Sequence, residues 1–126
     1  MIEKKLIRTN RLETAYFHGG IPGKPKLMLV HGNASSSVFY LDLMNRLADL
    51  FEMVAPDLRC FGDTESLPVD ASRGLRDWSD DIYELTKALG WENFVLLGWS
   101  MGGGVVMQYA IDHSEQLDGL VLEAPL

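Results

Sequence analysis

A serine at the junction of an apolar run and a helical segment is the residue best placed to do chemistry. The run Phe94-Val-Leu-Leu97 is short and bounded like a buried strand. The turn Gly98-Trp-Ser-Met-Gly102 leads from it into a segment, residues 103–111, that favours a helix. Strand, Gly-x-Ser-x-Gly and helix in this order are typical of a nucleophile elbow. The alternative is a glycine-rich turn in which Ser100 is merely solvated.

Glycine two residues before and two residues after Ser100 has a physical purpose in such a turn. Side chains there would collide with the neighbouring strand and helix, and the serine itself must sit in strained backbone. Gly98 and Gly102 remove those collisions. We therefore expect the Ser100 hydroxyl to stand clear at the carboxyl edge of a sheet, where the first N–H groups of the helix point at whatever it attacks.

A serine nucleophile also needs donors for the oxyanion that forms on the attacked carbonyl group. One donor is expected to be the backbone N–H of Met101, directly after Ser100. The other is expected in the loop that begins His31-Gly-Asn33, with the N–H of Asn33 preferred and that of Ala34 as the alternative. Gly32 allows this loop to approach the serine closely. Without catalysis, the same residues would be a plain strand-to-helix turn.

None of the three histidines is expected to be the general base that Ser100 requires. His18 falls in a predicted edge hairpin, and His31 belongs to the oxyanion loop. His113 follows Ser100 by thirteen helical residues, which places it about 20 Å away. Glu123, at the end of the last strand, is the positional candidate for the acid, although it also fits an ordinary strand-end carboxylate. The chain by itself is therefore predicted to be inactive because its triad is incomplete.

The remaining segments predict an α/β fold. Strands alternate with helices, which favours a parallel sheet with right-handed crossovers and helices on both faces, preceded by an antiparallel N-terminal hairpin. We expect the whole chain, 1–126, to be the N-terminal portion of a single domain whose sheet is cut after the strand that follows the elbow helix. The expected strands are 4–8, 11–18, 26–30, 51–55, 94–97 and 118–123, and the expected helices are 38–50, 70–89 (or from 72) and 103–111.

The long second helix has a clear apolar stripe. Its members recur at helical spacing, and the acidic residues of the helix lie mostly away from them. The stripe consists of Leu75, Trp78, Ile82, Leu85 and Leu89, and the acidic residues are Asp77, Asp80, Asp81 and Glu84. The helix after Ser100 is instead apolar nearly all round, which predicts that it is buried.

Charge and composition exclude several classes of partner. The net charge is −7, with residues 1–26 at +4 and the remainder at −11. An acidic body without a basic stripe argues against nucleic acid and against anionic membrane surfaces. No apolar segment reaches the length of a membrane span, and the single Cys60 excludes an internal disulfide. Because residues 1–8 carry charges and no apolar stretch, we expect no secretory signal. We expect a cytoplasmic protein that uses no metal or organic cofactor.

Three motifs together resemble the first half of the α/β-hydrolase-fold enzymes. They are His31-Gly-Asn-Ala-Ser-Ser-Ser37, Ala55-Pro-Asp-Leu-Arg-Cys-Phe-Gly-Asp63 and Gly98-Trp-Ser-Met-Gly-Gly103, in this order and spacing. One departure is Cys60, where the family usually has glycine. Another is length, because the family places its acid and its histidine on loops after later strands. The resemblance implies a serine hydrolase of small or polymeric carboxylic esters.

Finer resemblances suggest several chemistries. The box Gly98-Trp-Ser-Met-Gly102 resembles that of intracellular poly(3-hydroxybutyrate) depolymerases, which would make the substrate a polyester and would put Trp99 near the acyl pocket. Cofactor-free perhydrolases, haloperoxidases and carbon–carbon bond hydrolases have similar elbows. Haloalkane dehalogenases share the His-Gly-Asn start of the loop but require aspartate where this chain has Ser100.

The alternative from another class is a non-catalytic binding or assembly module that keeps the scaffold. In either case, a parallel sheet that ends at Glu123 leaves an unpaired apolar edge. A chain with that edge exposed is expected to associate through it when it is alone.

Overall fold

The computed structural model describes residues 1–125, and it has six strands and three α-helices. The strands are β1 (Glu3–Arg8), β2 (Glu13–Gly20), β3 (Lys26–Val30), β4 (Glu52–Pro56), β5 (Phe94–Trp99) and β6 (Leu117–Glu123). The helices are α1 (Leu41–Leu47), α2 (Arg76–Leu89) and α3 (Met101–His113). Short 3-10 turns cover Ser37–Tyr40, Ala71–Arg73 and Ser114–Gln116. Every predicted strand and helix is present. The second helix begins at Arg76 and not at residue 70 or 72, because Asp70 caps a separate 3-10 turn that ends at Gly74.

All six strands form one sheet in the order β1-β2-β4-β3-β5-β6. The hairpin β1–β2 is antiparallel and joins β4 in antiparallel orientation, whereas β4, β3, β5 and β6 are parallel neighbours. The predicted fold class, a mostly parallel sheet with an antiparallel N-terminal hairpin, is confirmed. Because β3 and β5 are central and adjacent, their carboxyl ends bring the His31 loop beside Ser100.

Successive side chains of each central strand enter two separate cores, as the twofold repeat of a strand requires. Leu27 and Leu29 of β3 pack with Tyr40 and Met44 on the α1 side. Met28 and Val30 point the other way, into the core shared with α2 and α3. Helices therefore cover both faces of the sheet. The predicted stripe of α2 is confirmed, because all five of its members belong to or pack against this second core.

The acidic residues of α2 are only partly as expected, because Asp77 and Asp81 are buried at 6% and 5% exposure. Arg59 donates from Nε and Nη2 to both oxygens of Asp81, each at 2.8 Å, and Arg11 Nε donates to Asp81 at 2.7 Å. Charged groups are buried at acceptable cost only when they are paired in this way. The pairs tie the segment after β4 to α2.

The last strand and the end of α3 both expose apolar side chains. Leu120, Val121 and Leu122 of β6 are 37%, 44% and 39% exposed, and Ile111 of α3 is 74% exposed. The helix after Ser100 is therefore buried on one side only, where Val105, Val106 and Tyr109 are fully enclosed. The prediction that the whole helix is buried was wrong at Ile111, since nothing in residues 1–125 packs over that side chain.

Cys60 occupies a backbone conformation that explains why glycine would suit the position. Its φ is +71°, in the left-handed region, where a Cβ atom costs about 1–2 kcal/mol. Its thiol is exposed and donates to the carbonyl oxygen of Leu67 at 3.2 Å, a weak bond. Cys60 is thus a strained turn residue.

We predict that Cys60→Gly stabilises the protein by up to about 1 kcal/mol, because relief of strain exceeds the entropy that glycine adds to the unfolded chain. Chemical denaturation measures the change. Cys60→Ala is the control, since it removes the thiol and keeps the Cβ atom, so no gain is expected. Equal stabilisation by both variants would contradict the explanation from backbone strain.

Candidate active site

Ser100 lies at the tip of the turn between β5 and α3, in backbone that non-glycine residues rarely adopt. Its φ is +56° and its ψ is −120°. Such a conformation persists only where the surroundings fix it, and it recurs at functional sites. The Ser100 N–H donates to the carbonyl oxygen of Glu123 at 3.0 Å, and the Ser100 carbonyl accepts from the Gly103 N–H at 2.9 Å. Strand β6 and the first turn of α3 therefore hold the serine from both sides.

The two glycines of the turn are needed for the reason predicted from the sequence. A Cβ atom on Gly98 would lie 2.3 Å from the carbonyl oxygen of Gly102. A Cβ atom on Gly102 would lie 2.3 Å from the carbonyl oxygens of both Val30 and His31. Because these neighbours are backbone atoms, the first turn of α3 could not rest on the end of β3 with any larger residue.

The His31 loop approaches the serine through Gly32. A Cβ atom there would lie 2.8 Å from Cε3 of Trp99 and 3.0 Å from Cβ of Ser100. Asn33, next in the loop, is exposed, and Met101, the first residue of α3, is partly buried. The loop that carries Asn33 and the turn that carries Met101 thus meet around Ser100. The assignment of their N–H groups as oxyanion donors stays a prediction.

His31 is fully buried, and hydrogen bonds occupy both of its ring nitrogens. The Leu58 N–H donates to Nε2 at 3.0 Å, so the proton must reside on Nδ1, which donates to the carbonyl oxygen of Gly32 at 2.8 Å. Burial lowers the pKa of His31, although the Gly32 carbonyl and the charge of Asp57 oppose the shift. A neutral imidazole fixed in this way positions the loop and cannot accept the proton of Ser100.

The other two histidines are engaged elsewhere. His18 Nε2 lies 3.0 Å from Glu52 Oε2, between β2 and β4. His113, at the end of α3, stacks on Tyr83 with ring centroids 3.7 Å apart. Among residues 1–125, no hydrogen bond joins Ser100 to a histidine.

Asp57 is a buried carboxylate near the site, and it fixes loops. The Ser37 N–H donates to Oδ1 at 2.8 Å, while the Asp63 N–H and Lys4 Nζ donate to Oδ2, each at 2.9 Å. Burial raises the pKa of Asp57, but these hydrogen bonds outweigh it and leave the pKa below its usual value. Its carboxylate thereby joins β1, the loop after β4 and the turn that follows the oxyanion loop.

Glu123 ends β6 and pairs in register with Trp99, so the candidate acid lies one strand away from the elbow. Its side chain is exposed, and its carbonyl accepts the Ser100 N–H. The nearby charge of Glu123 adds to burial in raising the pKa of Tyr40, whose hydroxyl donates to the Val30 carbonyl at 3.0 Å. The carboxylate is thus on the site's side of the sheet, without a histidine partner among residues 1–125.

The family follows from comparison with known proteins. The family model for the α/β hydrolase fold matches residues 25–126. The chain belongs to the α/β-hydrolase-fold family. The resemblance predicted from the three motifs is therefore confirmed, and the family supports a hydrolase.

Similar proteins differ in their reactions. A 1-acylglycerol-3-phosphate O-acyltransferase from Arabidopsis thaliana is 35% identical over 104 residues, covering 79% of this chain and 25% of that protein. A bacterial membrane phospholipase A has a TM-score of 0.91 at 31% identity, covering 99% of this chain and 40% of the other. A 2-hydroxy-6-oxo-6-phenylhexa-2,4-dienoate hydrolase from Rhodococcus sp. has a TM-score of 0.92 at 26% identity, covering 100% and 47%. The chain thus spans between a quarter and a half of these relatives.

In residues 1–125, no helix has the length and apolarity needed to cross a bilayer.

We predict that Gly102→Ala destabilises the protein by about 3 kcal/mol or more, because the added carbon overlaps two backbone oxygens that cannot move independently. Thermal or denaturant unfolding measures the loss. Gly119→Ala is the matched control, since the nearest atom to its added carbon is 3.7 Å away and no loss is expected. Similar behaviour of the two variants would show that close contact at Gly102 is unimportant.

Proposed function

We propose that the protein is a serine hydrolase that cleaves carboxylic esters through an acyl-enzyme on Ser100. The observation that carries this proposal is the strained conformation of Ser100, φ +56° and ψ −120°, at a strand-to-helix turn in an α/β-hydrolase-fold chain. Strained backbone of this kind clusters at functional sites, so the conformation supports a functional role for the serine. The neighbouring glycines are consistent with the same role.

The reaction would follow the usual two steps of acyl transfer. Ser100 Oγ attacks the acyl carbon while its proton passes to a histidine. The oxyanion accepts hydrogen bonds from the N–H groups of Asn33 and Met101. Collapse of this intermediate breaks the bond to the alcohol, which leaves with the proton. Water then attacks the acyl-enzyme by the same route and releases the acid. No metal or organic cofactor takes part in this scheme.

The proposal requires a histidine from outside residues 1–126. His31 has both ring nitrogens occupied, His18 pairs with Glu52 of β4, and His113 stacks on Tyr83 at the far end of α3 from Ser100. The acid would come from the same source or be Glu123, whose strand borders the elbow. Residues 1–126 would then be the N-terminal portion of one catalytic domain, inactive without the rest.

We propose a general substrate class, carboxylic esters, and a narrower one within it. The phospholipase and acyltransferase relatives are named for chemistry at acyl groups, which is in keeping with an ester substrate. The elbow sequence favours an intracellular hydroxyalkanoate polyester or its oligomers, with a cytoplasmic location. Hydrolysis of another bond by the same Ser100 acyl chemistry, or perhydrolysis, is the alternative within the fold.

We predict that Ser100→Ala lowers ester turnover by at least about 10⁴-fold in the intact polypeptide that carries these residues, because no other group can form the acyl-enzyme. Hydrolysis of p-nitrophenyl esters measures the rate, and a fluorophosphonate probe measures covalent labelling. Ser114→Ala is the control, since Ser114 is exposed at the far end of α3 and the change should leave both readouts nearly intact. Labelling that persists in Ser100→Ala would refute the assignment.

The exposed edge supports a second candidate, a non-catalytic assembly module. Strand β6 has a neighbour on one side only, and its Leu120, Val121 and Leu122 are substantially exposed. An unpaired apolar strand is a template for pairing with another chain. Association through β6 is proposed for residues 1–126 alone under either function, and turnover by the intact polypeptide separates the two.

We predict that residues 1–126, expressed alone, elute as an associated species, and that Leu120→Lys with Leu122→Lys shifts the elution towards monomer. Charge on an exposed edge opposes strand pairing. Leu6→Lys is the control, because Leu6 is 61% exposed at the opposite edge of the sheet and should not change association. A sharp monomer peak with cooperative unfolding of the unmodified chain would contradict the prediction.

A further inference from the structure

Two aromatic rings form a parallel stack directly beside Ser100. The rings of Phe39 and Trp99 have centroids 4.3 Å apart and planes inclined by 7°. Trp99 precedes the serine on β5, and Phe39 lies in the 3-10 turn that follows the oxyanion loop. The two loops that build the proposed nucleophile and oxyanion site therefore also supply this pair.

Gly32 gives the distance from the stack to the serine. A Cβ atom on Gly32 would touch the Trp99 ring at 2.8 Å and Cβ of Ser100 at 3.0 Å. The edge of the indole and the serine side chain thus lie against the same short piece of backbone. The stack begins at the site and continues outwards to Phe39.

The inner and outer parts of the stack differ in exposure. Trp99 is partly buried and packs on the core under α1. Phe39 packs its edge against Tyr40, with ring centroids 5.1 Å apart at 86°, yet it remains 48% exposed. The core therefore fixes the direction of the stack while an aromatic surface stays available to a ligand. A rigid aromatic surface binds apolar groups at low entropic cost.

The loop beside the stack indicates which part of an ester would lie on this surface. The loop that begins at His31 would hold the acyl carbonyl oxygen, and Gly32 of that loop lies against the Trp99 ring. The departing alcohol must face the histidine that protonates it, and the proposed function places that histidine outside residues 1–126. The position of the loop therefore assigns this side of Ser100 to the acyl group.

We propose that the Phe39–Trp99 stack is the wall on which the acyl group of the substrate lies, and that it selects medium-chain and aromatic acyl groups over acetyl. The inference rests on the proposed ester hydrolysis at Ser100. An acetyl group ends before it reaches Phe39, whereas an octanoyl or phenylacetyl group covers it. Phe39 is then a specificity-determining residue and Trp99 supports it.

The test is acyl selectivity in the intact polypeptide, measured as kcat/KM for p-nitrophenyl acetate, octanoate and phenylacetate. Phe39→Ala is expected to lower the octanoate and phenylacetate values by about tenfold or more, the usual effect of lost apolar contact in a pocket. The acetate value should change by less than about twofold, since that ester makes no contact to lose. Val38→Ala is the matched control, because Val38 is the preceding residue of the same turn, is 57% exposed and is outside the stack.

A second variant distinguishes the loss of contact with the acyl group from a disturbance of the folded turn. Phe39→Leu keeps most of the apolar volume and loses the flat ring, so phenylacetate should suffer more than octanoate. Equal losses for all three acyl groups in both variants would overturn the proposal, as would the same selectivity change in Val38→Ala. A change in preference among octanoate esters of different alcohols, with acyl preference intact, would also overturn it by assigning the surface to the alcohol.

If the protein does not hydrolyse esters at Ser100, the same measurements give a different result. If the unmodified polypeptide hydrolyses none of these esters, and a fluorophosphonate labels it no more than Ser100→Ala, then ester hydrolysis is wrong and this inference falls with it. If the unmodified polypeptide is active and loses activity in Ser100→Ala, only the pattern across acyl groups decides the role of Phe39.

Discussion

The contact between the first turn of α3 and the end of β3 is the constraint on which the site depends. It is a contact of backbone with backbone, since a Cβ atom on Gly102 would be 2.3 Å from the Val30 and His31 carbonyl oxygens. Because the helix rests directly on the strand end, the loop after β3 and the turn before α3 occupy the same few ångströms. Ser100, Gly32 and Trp99 meet there for that reason.

The strain at Ser100 is maintained by structure on three sides. Strand β6 accepts its N–H, α3 donates to its carbonyl group, and β5 enters the turn from a fully buried core. Strand β5 and helix α3 are stabilised by apolar burial in which the serine takes no part, and β6 is held by its pairing with β5. The left-handed conformation can therefore persist in the folded state, and its cost of about 1–3 kcal/mol is offset elsewhere.

The parts of the fold that the sequence predicts are those set by local periodicity and turn chemistry. The central strands, the stripe of α2 and the elbow all come from patterns within one segment, and they are correct. The burial of Asp77 and Asp81 could not be predicted from the α2 pattern, because their partners Arg11 and Arg59 are distant in sequence. The exposure of Ile111 likewise depends on what packs over α3, and hydrophobicity along one helix carries no such information.

The stack of Phe39 on Trp99 could not be predicted from the sequence either. The sequence suggested only that Trp99 lies near an acyl pocket. The position of Phe39 depends on how the turn after the oxyanion loop folds back over β5, and two hydrogen bonds to other parts of the chain help to hold this turn. Tyr40 donates to the Val30 carbonyl, and the Ser37 N–H donates to the buried carboxylate of Asp57.

Asp57 illustrates the difference between a carboxylate with a structural role at a site and one with a catalytic role. Its two oxygens receive three donors from three separate parts of the chain, and its pKa is held below the usual value. To accept a further hydrogen bond from an imidazole, the Asp57 carboxylate would have to release one of the loops that it holds. In this part of the domain, charged and titratable side chains near the elbow therefore fix backbone. The proposed chemistry of Ser100 and the two N–H donors depends on how precisely that backbone is positioned. Proton transfer must then be supplied by a side chain that is not already held by hydrogen bonds to these loops.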